Sequence, residues 1–315
     1  MIGRRTALAG AILFASVLSG CTTNPTTGRS QLAIYSRDEE IAMGAQAMPE
    51  LTKEFGGKVK NADLQGYVAD IGRKLAAVTE ADNPSLPWEF TLLDSDVINA
   101  FALPGGKVFV SRGLAARMTN EAQLAAVVGH EIGHVTARHT NERMGQSTIA
   151  VGLGTLLGAA AGAEDAGSQV GQLVSLSFSR DQEIEADRLG MRYMEKLKYN
   201  PVGAIQVQEI LLKASTEGGG SRPPEILSTH PPSEKRIAEL KNRMAKYYQH
   251  TVNNPEYQLF EDRFRDRFLK RMAALPPALH RDGNVEFGLA YAGAPGAEIW
   301  CVHCAPASHG NAARP

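Results

Sequence analysis

The feature that most constrains the fold of this chain is a His-Glu-x-x-His spacing formed by His130, Glu131 and His134. It lies within the apolar, helix-compatible run Val127–Val135. On a helix, residues i and i+4 lie one above the other on the same face. The two imidazoles can therefore bind one zinc ion, through Zn–N bonds of about 2.0–2.1 Å. Glu131 is adjacent to the first histidine, where it can take a proton from a zinc-bound water.

The residues before the motif predict where this helix begins. Asn120 is a suitable N-cap, Glu121 suits the positive end of the helix dipole, and Gln123 stands at the capping-box position. An apolar stripe would bury the helix; it consists of Leu124, Val127, Val128, Ile132 and Val135. We predict that the helix continues to about Met144 and that His139, one position off the face of the motif histidines, is at the surface.

Two histidines leave a zinc ion under-coordinated, because a catalytic zinc usually has three protein ligands and a water. A strongly helical stretch from about Asp181 to Tyr199 carries Glu183, Glu185 and Asp187. One of its carboxylates can be the third ligand, and another, one turn away, can hydrogen-bond a ligand histidine from behind. Glu183 and Asp187 share a helical face, whereas Glu185 points elsewhere and is expected to face solvent.

Residues 1–20 have the pattern of a secretory signal, with two arginines followed by an apolar region that ends at Val17. Leu18–Cys21 resembles the bacterial lipobox. This resemblance implies that Cys21 becomes the lipid-modified first residue of the mature chain; an ordinary signal peptide and a short membrane anchor are the alternatives. Thr22, in place of Asp, is typical of the pattern sent to the outer membrane. We therefore predict a lipid-anchored protein on the periplasmic side of that membrane.

The charge balance argues against a nucleic-acid partner, because 33 basic and 34 acidic residues nearly cancel.

The chain has three cysteines, and Cys21 would carry the lipid. Cys301 and Cys304 remain, and either a disulfide or free thiols are compatible with an oxidising periplasm. The tail offers too few further ligands for a second metal site. The expected cofactor is a single zinc ion.

The order of elements predicts an α+β, mostly helical fold with a small β-sheet beside the motif helix. Three short strands are expected at Trp88–Asp94, Val97–Leu103 and Lys107–Ser111, with Pro104–Gly106 as the turn of a hairpin. An edge strand beside a metal site can bind an extended peptide by adding it to the sheet. The segment that either holds substrate in this way or only supports the helix comprises Asn99, Ala100, Phe101 and Ala102.

Composition divides the chain into four segments. Residues 1–20 are the signal, 21–35 a spacer from the membrane, 36–250 the folded domain, and 251–315 an extension that is helical and then disordered. The extension is expected to be dispensable.

Within the domain, the Gly- and Ala-rich run Thr148–Ala163 is too short to span a bilayer. It predicts a mobile cover over the site, a segment that touches lipid, or a buried hairpin.

Several motifs together resemble those of the HtpX/BepA-type zinc metallopeptidases, a gluzincin group that includes the CAAX-prenyl proteases. They are the His-Glu-x-x-His spacing, the Ser-x-Ser-Arg sequence at Ser177–Arg180, the Glu-x-x-x-Asp pair at Glu183 and Asp187, and the segment Ser228–Pro232. They occur in the family's order over roughly residues 30–250. The chain is similar to periplasmic members with a lipobox, because it lacks the transmembrane helices of HtpX. It also lacks the C-terminal helical repeats of BepA, which argues against recruitment to an outer-membrane assembly machine.

The resemblance implies a zincin-like fold and assigns roles to five residues. His130, His134 and Glu183 would bind zinc, and Glu131 would be the general base and acid. Asp187 would orient a ligand histidine. The implied activity is that of a zinc endopeptidase, which would hydrolyse unfolded or misassembled envelope proteins by Glu-assisted attack of zinc-bound water.

His230, in its Thr-His-Pro segment, is by similarity a switchable fourth ligand that keeps the enzyme latent. Donation to the oxyanion and a simple role in capping the next helix are the alternatives. If His230 plugs the site permanently, the chain is instead a chaperone-like or scaffolding protein of the envelope.

Overall fold

The computed structural model describes residues 21–81, 83–156, 177–217, 226–231 and 234–278. The predicted signal 1–20, the part of the predicted cover beyond Leu156, and the two tail cysteines lie outside these residues. Within the described segments, we find no helix that is both long and apolar enough to cross a membrane.

The described residues form a mostly helical α+β fold with a three-stranded sheet and an N-terminal hairpin, which confirms the predicted fold class. The strands are β1 (Cys21–Thr23), β2 (Ser30–Leu32), β3 (Glu89–Leu93), β4 (Ala100–Leu103) and β5 (Lys107–Ser111). The helices of the first half are α1 (Arg37–Glu54), α2 (Ala62–Ala77), α3 (Arg112–Ala115), α4 (Glu121–Thr136) and α5 (His139–Leu156). Those of the second half are α6 (Arg180–Lys196), α7 (Val202–Glu217), α8 (Ile226–Thr229), α9 (Glu234–Tyr247), α10 (Glu261–Phe264) and α11 (Lys270–Ala273).

The three-stranded sheet has the order β3-β5-β4, with β5 parallel to β3 and antiparallel to β4. The three predicted strands and their hairpin turn are confirmed. The turn needs glycine, because Gly105 and Gly106 have φ values of 73° and 95°, which other residues rarely adopt. Strand β5 is buried along its whole length, whereas β4 forms one edge of the sheet and packs against α4.

Helix α4 runs through the centre of the molecule, and each of its residues except His130 is buried. It packs on α6 with backbone close to backbone, because glycines line the contact. A Cβ atom on Gly133 would lie 2.9 Å from the carbonyl oxygen of Ala186, and one on Gly190 would lie 3.0 Å from the backbone nitrogen of His130. This close approach places α6 directly beside the His-Glu-x-x-His motif.

We expect Gly190→Ala to destabilise the protein by about 1–3 kcal/mol, the usual cost of overpacking. The added methyl group would meet backbone atoms of Gly129 and His130, which cannot move aside as a flexible side chain does. Gly66→Ala on α2 is the matched control, since a Cβ atom there meets nothing within 4 Å. It should stabilise by about 0.5–1 kcal/mol, because alanine is the better helix former. Urea unfolding measures both variants, and equal effects would contradict a backbone contact between α4 and α6.

Helix α4 ends earlier than predicted. It stops at Thr136, and Arg138 is left-handed, with φ 57°, before α5 begins at His139. The guanidinium of Arg138 holds this bend, because Nε donates to Glu40 Oε1 at 3.0 Å and Nη2 donates to the carbonyl oxygen of Tyr35. These bonds offset a conformational cost of about 1–2 kcal/mol. The bend directs His139 into the protein, so its predicted surface position is wrong.

Residues 21–35, predicted as a spacer, are folded against the domain. Strand β1 pairs with β2 in an antiparallel hairpin. Asn24 is 1% exposed, and its Nδ2 donates to the carbonyl oxygen of Thr136 at the end of α4. The backbone N–H of Ile34 donates to Asn141 Oδ1 at 2.9 Å. The prediction of a free spacer is therefore wrong, because the polar groups of this segment find buried partners in the domain.

The helical start of the predicted extension packs into the main core. Phe264 and Phe268 are fully buried, and their rings lie next to that of Tyr67 on α2. Arg263 Nε donates to Glu121 Oε2 at 2.7 Å, in the first turn of α4. The predicted boundary at residue 250 therefore cuts through one core, which the residues up to Met272 complete.

Candidate metal and catalytic site

Four side chains converge where α4 and α6 meet the residue after α8; three are buried, and His130 is 12% exposed. His130, His134, Glu183 and His230 each offer one ligand atom, and these atoms all lie within 4.8 Å of one another. The Nε2 atoms of the two α4 histidines are 3.0 Å apart. Glu183 bridges them, with Oε1 3.4 Å from His134 Nε2 and Oε2 3.4 Å from His130 Nε2. The structure thus brings the three predicted ligands and the predicted switch residue to one point.

The local sequence sets the start of both helices that carry these groups. The predicted N-cap of α4 is confirmed, because Asn120 Oδ1 accepts a hydrogen bond from the Gln123 backbone at 3.0 Å. Ser179 caps α6, and Gln182 completes its capping box. With both starts fixed, Glu183 and Asp187 stand one turn apart on the face of α6 that meets α4.

The Nδ1 atoms of His130 and His134 each lie close to a polar group outside the cluster. These contacts determine whether the Nε2 atoms, which face the cluster, carry a proton or a lone pair. His130 Nδ1 is 2.9 Å from Asp187 Oδ1, and His134 Nδ1 is 2.9 Å from His139 Nδ1. A carboxylate only accepts hydrogen bonds, so a neutral His130 has its proton on Nδ1 and a lone pair on Nε2. With His134 in the same tautomer, two lone pairs face each other across 3.0 Å, which is unfavourable without a cation between them. The donor set therefore fits zinc.

When no metal ion is bound, a proton supplies this positive charge. Burial opposes a charge on His130, but Asp187 and Glu183 raise its pKa to about 10. Burial lowers the pKa of His134 well below the ordinary value, so this ring is neutral. A metal ion must therefore displace a proton from His130 to bind.

The pKa values of the two glutamates at the site, Glu131 and Glu183, are shifted in opposite directions. Burial raises the pKa of Glu131, which is 2% exposed, and a raised value suits a group that accepts and returns a proton near neutral pH. Burial also acts on Glu183, but His230 and Arg236 outweigh it and hold its pKa well below the ordinary value. Glu131 lines a cavity of about 30 Å³ together with His130 and His230, which is large enough for a water molecule.

Two residues at the site were missed by the sequence analysis. Arg236 is 2% exposed and binds Asp187 through both Nε and Nη2, at 2.9 and 2.8 Å, while Nη1 lies 2.6 Å from Glu183 Oε2. Its position in the charged sequence of α9 favours a surface residue, so no local signal identifies it. Phe178, from the Ser-x-Ser-Arg motif, stacks on the His134 ring with centroids 4.0 Å apart.

His139 and Glu185 were both predicted at the surface, and both predictions are wrong. His139 is fully buried, and its Nε2 lies 3.0 Å from Glu185 Oε2. The Glu185 side chain is only 14% exposed. The cause is the bend at Arg138, which turns the start of α5 toward α6 and gives the carboxylate a buried partner.

His230 is held at the site by the short helix α8. Its backbone N–H donates to the carbonyl oxygen of Ile226 at 2.8 Å, and the Ile226 N–H donates to that of Ile98, just before β4, at 3.4 Å. The His230 ring places Nδ1 2.9 Å from Glu183 Oε1 and Nε2 3.8 Å from Glu131 Oε1. The side chain is therefore close to both the predicted ligand Glu183 and the predicted base Glu131.

The predicted substrate segment, residues 99–102, includes most of the outer strand of the described sheet. In an antiparallel pair, alternate residues direct their N–H and C=O groups away from the partner strand. Asn99 O accepts from Ser111 N at 3.0 Å, so the backbone groups of Ala100 and Ala102 point outward. The strand lies against the helix that carries the histidine pair.

Comparison with known proteins identifies a family and two kinds of relative. Residues 62–244 match the model of peptidase family M48. The chain is 34% identical over 236 residues to the beta-barrel assembly-enhancing protease of Escherichia coli K12, covering 70% of this chain and 47% of that protein. It is 33% identical over 223 residues to the mitochondrial metalloendopeptidase OMA1 of Schizosaccharomyces pombe, covering 69% of this chain and 64% of that protein. The chain thus spans about half the length of the bacterial relatives it matches.

Proposed function

This chain belongs to peptidase family M48 and is a zinc metallopeptidase, and we propose that it cleaves unfolded or misassembled proteins of the bacterial cell envelope at internal peptide bonds. The observation that carries this proposal is the cluster of His130, His134 and Glu183 beside the buried carboxyl of Glu131. The names of the relatives, a protease that enhances β-barrel assembly and a metalloendopeptidase, support the same class of substrate and reaction.

Five residues at the site each have one task in this proposal. His130, His134 and Glu183 would hold the metal ion, which when bound polarises the scissile carbonyl and lowers the pKa of a water molecule. Glu131 accepts a proton from the attacking water and returns it to the leaving amine nitrogen. Asp187 keeps the His130 ring in one orientation through the 2.9 Å contact between its Oδ1 and His130 Nδ1.

The edge of β4 supports an extended peptide as the substrate. The outward backbone N–H and C=O groups of Ala102, which is partly exposed whereas Ala100 is buried, can pair with a peptide in the β conformation. A folded domain rarely presents a free extended segment, whereas an unfolded or misassembled chain does. This preference for unpaired backbone selects substrates by their state of folding.

A lipid at Cys21 would place the catalytic domain at the membrane surface. Cys21 is the first residue of β1, and the hairpin of β1 and β2 contacts the domain through Asn24 and Ile34. With this hairpin folded, no flexible spacer separates the lipid from the domain. We therefore assign the protein to the periplasmic side of the outer membrane, where misassembled membrane proteins accumulate.

Zinc content and cleavage of casein, an unfolded protein, test the proposal on the full-length protein purified in mild detergent. We expect about one zinc ion per chain, as for a site with three protein ligands, and cleavage at internal bonds. A chelator should stop cleavage, and added zinc should restore it. A protein without zinc would overturn the assignment of the metal site. A zinc-loaded protein that leaves casein intact would overturn the general endopeptidase.

The position of His230, 2.9 Å from Glu183, supports a second function, that of a scaffold whose zinc site this ring plugs permanently. Such a protein would bind zinc in its wild-type form but would not cleave casein. If this ring plugs the site reversibly, His230→Ala should raise casein cleavage by about 5–30-fold, the factor that corresponds to 1–2 kcal/mol. His250→Ala is the control, because this side chain is 49% exposed. Initial rates of cleavage decide the role. A large loss of activity would instead give His230 a part in stabilising the reacting carbonyl oxygen, and unchanged rates would leave it only a structural contact.

A further inference from the structure

A series of hydrogen bonds begins at Nδ1 of His134, the ring nitrogen that faces away from the cluster. Its Nδ1 lies 2.9 Å from His139 Nδ1, and His139 Nε2 lies 3.0 Å from Glu185 Oε2. His134 and His139 are 2% and 0% exposed, so water does not compete for these bonds. Neither His139 nor Glu185 belongs to the cluster of ligand atoms.

The carboxylate of Glu185, at the end of this series, determines which nitrogens of His139 and His134 carry a proton. The Glu185 carboxylate only accepts, so His139 must carry a proton on Nε2. The Nδ1 of a neutral His139 is then an acceptor, and it requires a proton on Nδ1 of His134. That leaves the lone pair of His134 on Nε2, the nitrogen that lies 3.0 Å from His130 Nε2 in the cluster. One set of tautomers thus satisfies every bond and presents His134 ready to bind a metal ion.

Each motif histidine therefore has its own external support. His130 is held by Asp187, whose carboxylate in turn receives two hydrogen bonds from Arg236. His134 is held by His139 and Glu185. The first support comes from α6 and α9, and the second comes from α5 and α6.

The second support reaches the N-terminal hairpin. Arg29, between β1 and β2, places Nη2 3.3 Å from Glu185 Oε2. The same guanidinium binds both oxygens of Glu142 on α5, at 2.7 and 2.8 Å. A bidentate contact of this kind fixes the direction of the planar group, so the hairpin positions Glu185 from outside.

We propose that His139 is a positioning residue for the zinc ligand His134, and that Glu185 and Arg29 extend this support to the N-terminal hairpin. The inference rests on the proposed zinc site and adds residues that act through a ligand without touching substrate. It gives the hairpin that follows Cys21 a part in the strength of metal binding.

The test compares two substitutions of similar shape at one buried position. His139→Leu fills the space but removes the acceptor, whereas His139→Asn offers an amide oxygen close to the place of Nδ1. We expect His139→Leu to weaken zinc binding by about 10–100-fold, as loss of such partners does, and His139→Asn to weaken it less. His250→Leu, at a side chain 49% exposed, is the control and should bind zinc as the wild type does.

The readout is the zinc dissociation constant of the full-length protein, measured by competition with a chromophoric chelator. The visible spectrum of the cobalt-substituted protein reports ligand geometry and should change in His139→Leu. Arg29→Met should weaken zinc binding in the same direction by a smaller factor. Thermal unfolding of the metal-free proteins separates these effects from loss of the fold.

Two results would overturn the proposal. If leucine, which is closer in volume to histidine, binds zinc as tightly as asparagine does, His139 acts only by packing. If Arg29→Met leaves the dissociation constant unchanged, the hairpin has no part in the support. Both outcomes differ from failure of the proposed function, in which the wild type itself binds no zinc or Glu131→Gln retains full cleavage.

Discussion

Glu131→Gln is expected to lower kcat/KM for casein cleavage by about 10²–10⁴-fold, the contribution of a well-placed acid–base group. Glutamine has the shape of glutamate but cannot accept the proton of the attacking water. Zinc content should be unchanged, because His130, His134 and Glu183 all remain. If the variant binds zinc but does not cleave casein, the carboxyl group of Glu131 is the group that accepts the proton of the attacking water.

The same substitution should not weaken the fold. Burial raises the pKa of Glu131 above its ordinary value of 4.5. A carboxyl whose folded pKa is raised lowers stability as the pH rises from the unfolded pKa through the folded one, because the unfolded state then releases its proton first. Glutamine removes this cost at neutral pH, so the variant should be at least as stable as the wild type when both are metal-free.

Glu209→Gln is the matched control, because its side chain is 52% exposed and lies outside the cluster. It should retain both zinc and cleavage. If Glu131→Gln lost its zinc as well as its activity, Glu131 would belong with the metal ligands. If it cleaved casein at the wild-type rate, the proton would have to move through another group.

Phe264→Ala is expected to lower the free energy of unfolding by about 3–5 kcal/mol, the usual cost of removing a buried phenylalanine ring. Phe264 is 0% exposed, and its ring stacks on that of Phe268 with centroids 5.0 Å apart. The surrounding side chains belong to the main core, so the cavity cannot collapse toward solvent. Urea unfolding in the presence of a chelator measures the loss without a contribution from bound zinc.

Lys270→Ala is the control for this segment, since its side chain is 68% exposed. A change there should stay within about 0.5 kcal/mol. If Phe264→Ala lowered the free energy of unfolding by less than about 1 kcal/mol, the effect would be far below the usual cost of emptying a core site. The segment would then be a dispensable extension, as the sequence predicts. The m-value should not change, because both variants expose nearly the same surface on unfolding.

Sequence patterns were sufficient to predict those features of the structure that are determined by residues close together in the chain. The histidine pair faces one point because a helix repeats every 3.6 residues, and Asn120 caps that helix as its side-chain chemistry predicts. The hairpin of β4 and β5 follows from Gly105 and Gly106, which accept positive φ angles at low cost. The Glu183 and Asp187 pair was also accessible from sequence, because residues four apart share a helical face.

Local patterns failed where polar residues are satisfied by distant partners. Arg236, His139 and Glu185 have the composition of surface residues, and only their contacts across the fold explain their burial. The same holds for the hairpin of residues 21–35, whose polar groups bond to the ends of α4 and α5. A polar side chain can be buried when it is fully hydrogen-bonded, and its sequence neighbours do not reveal that partner.

The sequence by itself determined the helix of the His-Glu-x-x-His motif, the glutamate beside its first histidine and the strand that precedes them, because spacing, capping and turn chemistry act over a few residues. The tertiary structure alone decided which carboxylate meets which imidazole, that His230 lies at the cluster, and how the site is supported from behind. These contacts depend on the glycine-lined crossing of α4 and α6 and on the left-handed bend at Arg138. Both arise from packing between segments far apart in the chain, where no local period carries the information.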